Sequence, residues 1–235
     1  MGKVIMSGIV PLLTEPKKQY PANFADATWA EIIEACQKNW IPDTWVVGSQ
    51  KTMTIDGTNY PIDIIGKNHD IYSDGSGTAP LTFQLHDCYE MFYPMNNTST
   101  NAGGWASCRL RTNYMPKILA LMPTEIQNGI REVTKLASAG NKTTTINTTT
   151  DKLFLLSEIE IFGSTTYSAE GEGTQYDYYK AGNTKVKGPS GSAEIWWERS
   201  SVRNAANAFC SVTKAGQANR TVATYNCAVA FAFCF

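Results

Sequence analysis

The sequence predicts an α+β fold assembled from many short elements, and three features predict it. Strand-like runs with apolar and polar residues in alternation, such as Leu81-Thr82-Phe83-Gln84-Leu85, are bounded by turn formers rather than by long helices. Helix signals are few and local, the clearest being the capping box Thr28-Trp29-Ala30-Glu31. Long Gly-, Asn- and Thr-rich stretches without apolar periodicity lie between them. With 18 glycines, 11 tyrosines, six tryptophans and only 17% charged residues, the chain reads as a loop-rich globule with many aromatic anchors.

In order along the chain, residues 1–22 run from apolar to polar through Pro11, Pro16 and Pro21 and read as an extended arm suited to attachment; residues 23–235 form the domain. The capping box opens a helix with Trp29, Ile32, Ile33 and Cys36 on one face, ending before Pro42. Residues 51–55 and 58–65 flank Asp56-Gly57, a hairpin signal, and Pro61, which cannot donate to a ladder, predicts an edge strand for the second run. Residues 70–78 read as a surface loop, with Asx-type turns at Asp70 and Asp74 rather than a calcium loop, and 81–85 as the next strand.

Residues 105–134 are the most helical part. Pro116 suits a first turn, Pro123 ends that helix, and Thr124 caps the next, which carries Ile126, Ile130 and Val133 at helical spacing. The Thr-rich run 143–150 is expected as a β-ribbon or exposed loop, and 153–162 as a strand presenting Glu158 and Glu160 on a solvated face. Residues 163–191, with Tyr167, Tyr176, Tyr178 and Tyr179, form an irregular insertion. The closing run 229–235 is apolar on both faces and is expected in the centre of a sheet.

Composition and motifs exclude several function classes. Twenty basic against 21 acidic residues give a net charge of −1, so nothing draws the chain to nucleic acid or an anionic membrane. No segment reaches the roughly 18 apolar residues that span a bilayer, and the start lacks the pattern of a secretory signal. Six widely spaced cysteines form no C-x-x-C pair and are expected as buried, reduced thiols; no metal and no cofactor is expected. The two histidines, His69 and His86, each precede an Asp without a nucleophile at working distance, and no catalytic motif is present, so the expectation is a protein that is not an enzyme.

The last third has the composition of a binding surface. Between a Trp-rich anchor and the terminal strand lie Val202, Arg203, Asn204, Asn207, Ser211, Thr213, Asn219, Arg220, Thr221, Tyr225 and Asn226. Arg and Tyr supply contact area and the small polar residues adaptable hydrogen bonds. Trp196, Trp197 and Arg199 are expected as scaffold, with an internal ion pair from Arg199 to Glu198 or Glu158.

The runs 151–163 (DKLFLLSEIEIFG), Trp196-Trp197-Glu198-Arg199-Ser200, Val229-Ala230-Phe231 and Asn101-Ala102-Gly103-Gly104-Trp105 resemble an uncharacterised domain family of gut bacteria and their phages. The start, residues 1–11, resembles that of prophage structural proteins. The family is similar in turn to C-type-lectin-like variable proteins diversified by retroelements, which share a fold with formylglycine-generating enzymes. The resemblance implies that fold and a variable carboxy-terminal region, about 201–226, displayed on a phage tail or bacterial surface.

It also implies as partners a host cell-surface protein or glycan, neighbouring virion or surface proteins through the arm, and further copies of the chain. The alternative is a structural virion protein without ligand diversification. Ser201 replaces the family's usual proline, Ala228 and Ala232 replace expected glycines, and calcium-binding lectin tripeptides are missing. Adenine-directed diversification of Asn codons cannot yield Lys, Gln, Glu, Met or Trp. After Arg199 only Lys214 and Gln217 come from that set.

Overall fold

The computed structural model describes residues 17–235. The greater part of the expected arm, residues 1–16, lies outside the described residues. Its last residues belong to the domain: the Tyr20 ring lies 6.0 Å from that of Trp45, whose indole N–H donates to the Pro21 carbonyl at 2.9 Å. The domain therefore begins before the expected residue 23.

Helix α1 (Trp29–Lys38) opens on the capping box, with the Glu31 N–H donating to the Thr28 hydroxyl at 3.2 Å and the Thr28 N–H to the Glu31 carboxylate at 2.9 Å. It closes on Asn39 in the left-handed region. Strands β1 (Gln50–Ile55) and β2 (Thr58–Lys67) meet at Asp56-Gly57, both with positive φ, as a two-residue hairpin turn requires. Strands β3 (Leu81–Leu85) and β4 (Tyr89–Tyr93) follow.

Strand β2 is interior, paired with β1 on one side and β3 on the other, which corrects the edge position expected from Pro61. The Pro61 carbonyl accepts from the His86 N–H at 2.8 Å. The return bond, which proline cannot make, is replaced: the His86 carbonyl accepts instead from the ammonium of buried Lys187 at 2.5 Å. The ladder loses a donor and a lysine supplies one.

The middle of the chain holds α2 (Gly104–Ser107), a π-helical turn over Leu110–Tyr114, α3 (Met115–Leu121) with Pro116 in its first turn, and α4 (Thr124–Gly129). Pro123, not Thr124, is the N-cap of α4. Val133 belongs not to that helix but to β5 (Val133–Ser138), which pairs with β6 (Ile146–Asp151) in a two-stranded ribbon, the first of the two readings of the Thr-rich run.

Residues 158–162, expected within a strand, are helix α5 (Glu158–Phe162). Ser157 and Glu160 form a second capping box, so the alternation of Glu and Ile is one helical turn whose glutamates are both buried. Helix α6 (Asp177–Lys180) breaks the irregular segment after it.

Strands β7 (Trp196–Ser201), β8 (Ala208–Val212), β9 (Ala218–Val222), β10 (Cys227–Val229) and β11 (Ala232–Cys234) complete the chain. The expected single terminal strand is thus two. β10 is interior to the sheet β4-β10-β7-β8-β9, between β4 and β7 and parallel to β7, whereas β11 ends the sheet β1-β2-β3-β11. Single bridges from Arg131 to Cys234 and from Phe154 to Ala232 cover that edge. Phe231, Phe233 and Phe235 are buried, and Phe235 reaches Trp29 of α1 at 6.1 Å, so one apolar core joins both sheets and the first helix. All six cysteines are buried and free.

Candidate binding surface over a buried charged core

Strand β7 bulges over residues 198–200, where only Cys210 stands opposite on β8, and this turns Arg199 inward. Its guanidinium is fully buried and satisfied. Nε donates to the Leu136 carbonyl at 3.0 Å, Nη1 to that of Leu155 at 2.9 Å, Nη2 to that of Glu172 at 2.7 Å, and both terminal nitrogens to the Glu160 carboxylate. The ion-pair partner is Glu160, not the expected Glu198 or Glu158. Glu158 is occupied with the Tyr167 and Ser168 N–H groups at 2.9 and 2.7 Å.

The Glu160 carboxylate also accepts from Lys135 Nζ at 2.8 Å, and Lys135 reaches Asp70 at 2.7 Å. Asp70, expected in a surface loop, is buried and accepts further bonds from Thr82 at 2.5 Å and Tyr176 at 2.8 Å. Burial pushes both carboxyls up, but Lys135 and His69 at Asp70, and Arg199 and Lys135 at Glu160, hold them below the ordinary range. Two cations and two anions thus share the interior at zero net charge.

Two further acids differ. Burial raises Glu172 to about 7, against hydrogen bonds from Ser200 and the Ser138 N–H. Burial and the neighbouring Glu158 and Glu172 charges push Glu198 well above its ordinary value, and neither of its oxygens has a hydrogen-bond partner among the described residues. Burial without a hydrogen-bond partner thus favours the neutral form of Glu198.

Above this base, the chain from 201 to 226 forms a loop, the β8–β9 hairpin and a second loop. Arg203, Asn204, Asn207, Arg220, Tyr225 and Asn226 are exposed, and Thr213, Asn219 and Thr221 are half-buried. Val202 and Ser211 are corrections to the expected contact set. Val202 packs with Ala208 and Cys210, and the Ser211 hydroxyl is bonded to that of Thr221 at 2.8 Å beneath the hairpin. Trp196, Trp197 and Arg199 are fully buried, as a scaffold requires.

Most of the exposed set lies together. The Ala223 N–H donates to the Asn207 carbonyl at 2.9 Å, joining the two loops. Tyr167 bridges on the other side: its carbonyl accepts from the Arg203 N–H at 2.9 Å and its ring lies 5.8 Å from the Arg220 guanidinium. Thr213 is apart, in the turn at the far end of the hairpin, beside the Lys214–Glu194 pair.

Two organising residues were missed in the sequence. Tyr167 sits in the segment read as an irregular insertion. Asn101 is buried, and its side-chain amide donates to the carbonyls of Ala205 and Ala208, each at 2.8 Å, while its oxygen accepts from the Asn141 N–H at 2.8 Å. Gly104 lets the Asn101 turn press on β5, since with φ +56° a Cβ there would meet the Ser138 carbonyl at 1.8 Å.

The two histidines lie in separate polar settings. His86 Nδ1 bonds Asp63 at 2.7 Å, and the Cys88 thiol is kept neutral by burial. His69 stacks on Tyr176 with ring centres 3.8 Å apart, at the edge of a cleft of about 180 Å³ over Asp70, Lys135 and Glu160. A larger hollow of about 360 Å³, lined by Arg111, Met115, Leu119 and Leu153, shares no residue with that cleft or with the 201–226 surface. Among the described residues, no group of three or more His, Cys, Asp and Glu is placed to hold a metal ion, and no helix is long and apolar enough to cross a membrane.

Residues 82–235 match the family described as "Domain of unknown function (DUF6273)". The chain belongs to this family. The matched segment begins in β3 and takes in Asn101, Glu160, Arg199 and the whole 201–226 surface, so the clamp, the buried pair and the loops all fall in the family region. No curated protein and no solved structure matches the chain.

Proposed function

We propose that this member of the family is a non-enzymatic ligand-display protein, with a C-type-lectin-like fold, that binds through the loops and hairpin of residues 201–226. One observation carries the reading: six exposed polar or aromatic side chains stand on a base whose every anchor is buried. Arg199 fixes the strand below and Asn101 ties down the first loop, so surface residues can change without loosening the scaffold. The small sheets, antiparallel except for the β10–β7 pair, the short helices and the long irregular stretches support the fold assignment.

The partner is a protein or glycan of a host cell surface, and the carrier a phage tail or bacterial surface to which residues 1–16 attach several copies, so that weak contacts add. The test is genetic. The DNA beside the gene is sequenced for a reverse transcriptase and a near-copy of the codons for residues 195–235. Differences at Arg203, Asn204, Asn207, Arg220, Tyr225 and Asn226, with Trp196, Trp197 and Arg199 unchanged, are the expected outcome. Sister copies that vary equally in the anchors and the loops would remove the reading and leave a structural virion protein.

A further inference from the structure

We infer that Lys135 and Asp70 are placed to join through an amide bond between their side chains, a covalent cross-link that the folded chain makes on itself. The proposal is independent of what the 201–226 surface binds. It rests on five groups that meet in one buried place, each with a part in the reaction.

Lys135 Nζ, the nucleophile, lies 2.7 Å from Asp70 Oδ1. Both side chains are 3% or less exposed, and the Phe154 ring covers the ammonium at 4.4 Å, which limits the access of bulk water to the carboxyl carbon. Glu160 Oε1, 2.8 Å from the same nitrogen, is the proton relay. Thr82 and Tyr176 donate to Asp70 Oδ2 at 2.5 and 2.8 Å, the positions of donors that hold the oxyanion of an acyl-transfer intermediate. The reactants are held in contact by the fold, so a reaction too slow between free molecules becomes intramolecular.

The step balances within these groups. One ammonium proton passes first through Glu160 to Asp70 Oδ1, leaving a neutral amine and a neutral carboxyl; Nζ then bonds to Asp70 Cγ and the Cγ–Oδ1 bond breaks. Of the three ammonium protons, one stays on the amide nitrogen and two leave with Oδ1 as water, the first passing through Glu160. Glu160 ends as it began, a carboxylate held by Arg199. The water released has a way out in the cleft that borders Asp70, Lys135 and Glu160. No oxidant, reductant or second substrate enters.

Two consequences favour the product. Before reaction this cluster holds Lys135 and Arg199 against Asp70 and Glu160; afterwards its Arg199–Glu160 pair remains, so one desolvated ion pair is replaced by a neutral amide. The new bond also ties β5 to the segment before β3, 65 positions apart in sequence, which restricts the unfolded chain as a disulfide does in a protein whose six cysteines are free.

The experiment is an intact-mass measurement on the full chain, folded, incubated and then unfolded in denaturant. The expected result is a chain lighter by one water, giving on trypsin digestion a branched peptide of residues 68–109 joined to 132–142, because acylated Lys135 is not cut. Full sequence mass after prolonged incubation, with separate peptides, overturns the proposal. Lys135→Arg keeps the cation without an amine that can be acylated and is expected at full mass. Water loss persisting in that variant belongs to succinimides at Asp56-Gly57 or Asp74-Gly75 and likewise overturns it.

Discussion

Arg199 and Arg203 stand four residues apart on one stretch of chain and live in opposite physical regimes. Arg199 spends every donor group inside the protein, on Glu160 and three carbonyls contributed by residues 136, 155 and 172. Arg203 is exposed, and its guanidinium makes one long contact, 3.5 Å, to the Thr166 carbonyl. The difference shows how the molecule separates two demands. The buried arginine joins β7, β5 and α5 into one rigid base, while the exposed one is free to meet something else.

Breaking the base should therefore have the largest effect. Arg199→Ala leaves Glu160 buried with only Lys135 beside it and is expected to destabilise the domain by about 3–5 kcal/mol, the cost of stranding one half of a buried pair. Chemical denaturation followed by tryptophan fluorescence measures it. A loss below about 1 kcal/mol would mean that the base is not held by this pair and would dissolve the contrast with Arg203.

Asn101→Ala tests the joint between the two regimes. It removes a partner from the carbonyls of Ala205 and Ala208 and from the Asn141 N–H; the Ala208 carbonyl keeps the Val202 N–H and Asn141 is exposed, so the expected loss is about 1–3 kcal/mol, that of one buried polar group left unpaired. The expected signature, besides lower stability, is faster amide exchange in residues 202–208 than in β7. Uniform loss of protection would place Asn101 in the global fold instead of at the loop.

Asn101 also marks where the sequence stopped being legible. Signals that act over three or four residues were readable: the Thr28 capping box and the Asp56-Gly57 turn each fix a local backbone, and both stand as expected. The Ser157-x-x-Glu160 box uses the same grammar, yet α5 is five residues long, too short for a helical period to outweigh an alternating Glu–Ile pattern. Pro61 was misread because the donor replacing its missing N–H is Lys187, 126 positions further on. Asn101 reaches 104 to 107 positions ahead. Partners at that range are set by topology, and no spacing in one sequence encodes them. The burial of Trp196, Trp197 and Arg199 was legible, but not which acid pairs with Arg199.

The charged base should also respond to pH in a way the loops cannot. Glu172 binds its proton with a value of about 7 in the folded chain against an ordinary 4.5, so the folded state holds more protons between those values. Its contribution is fully present below about 4.5 and is lost as pH rises through about 7. His86, raised by Asp63, adds a loss of the same sign above 6.5, whereas Asp70 and Glu160 titrate below this window. The urea midpoint is expected to fall from pH 5 to pH 8, and Glu172→Gln to flatten that slope while leaving the parts due to His86 and to Glu198, whose value is raised in the same direction. A midpoint that rises over the window would reverse the assignment.

The smallest effect on stability is the one that sharpens the comparison most. Arg203→Ala and Tyr225→Ala remove side chains that face solvent, Tyr225 being 58% exposed, and each is expected to change stability by no more than about 0.5 kcal/mol. If the surface binds, the same substitutions should weaken attachment to the target cell at least several-fold, because Arg and Tyr are the residues that dominate contact energy. Attachment of the labelled full chain to intact cells, read beside its denaturation curve, separates the outcomes. Weaker attachment with unchanged stability places function in the loops. Destabilisation by either variant would make the exposed rim part of the base, and the three residues between Arg199 and Arg203 would no longer divide scaffold from surface.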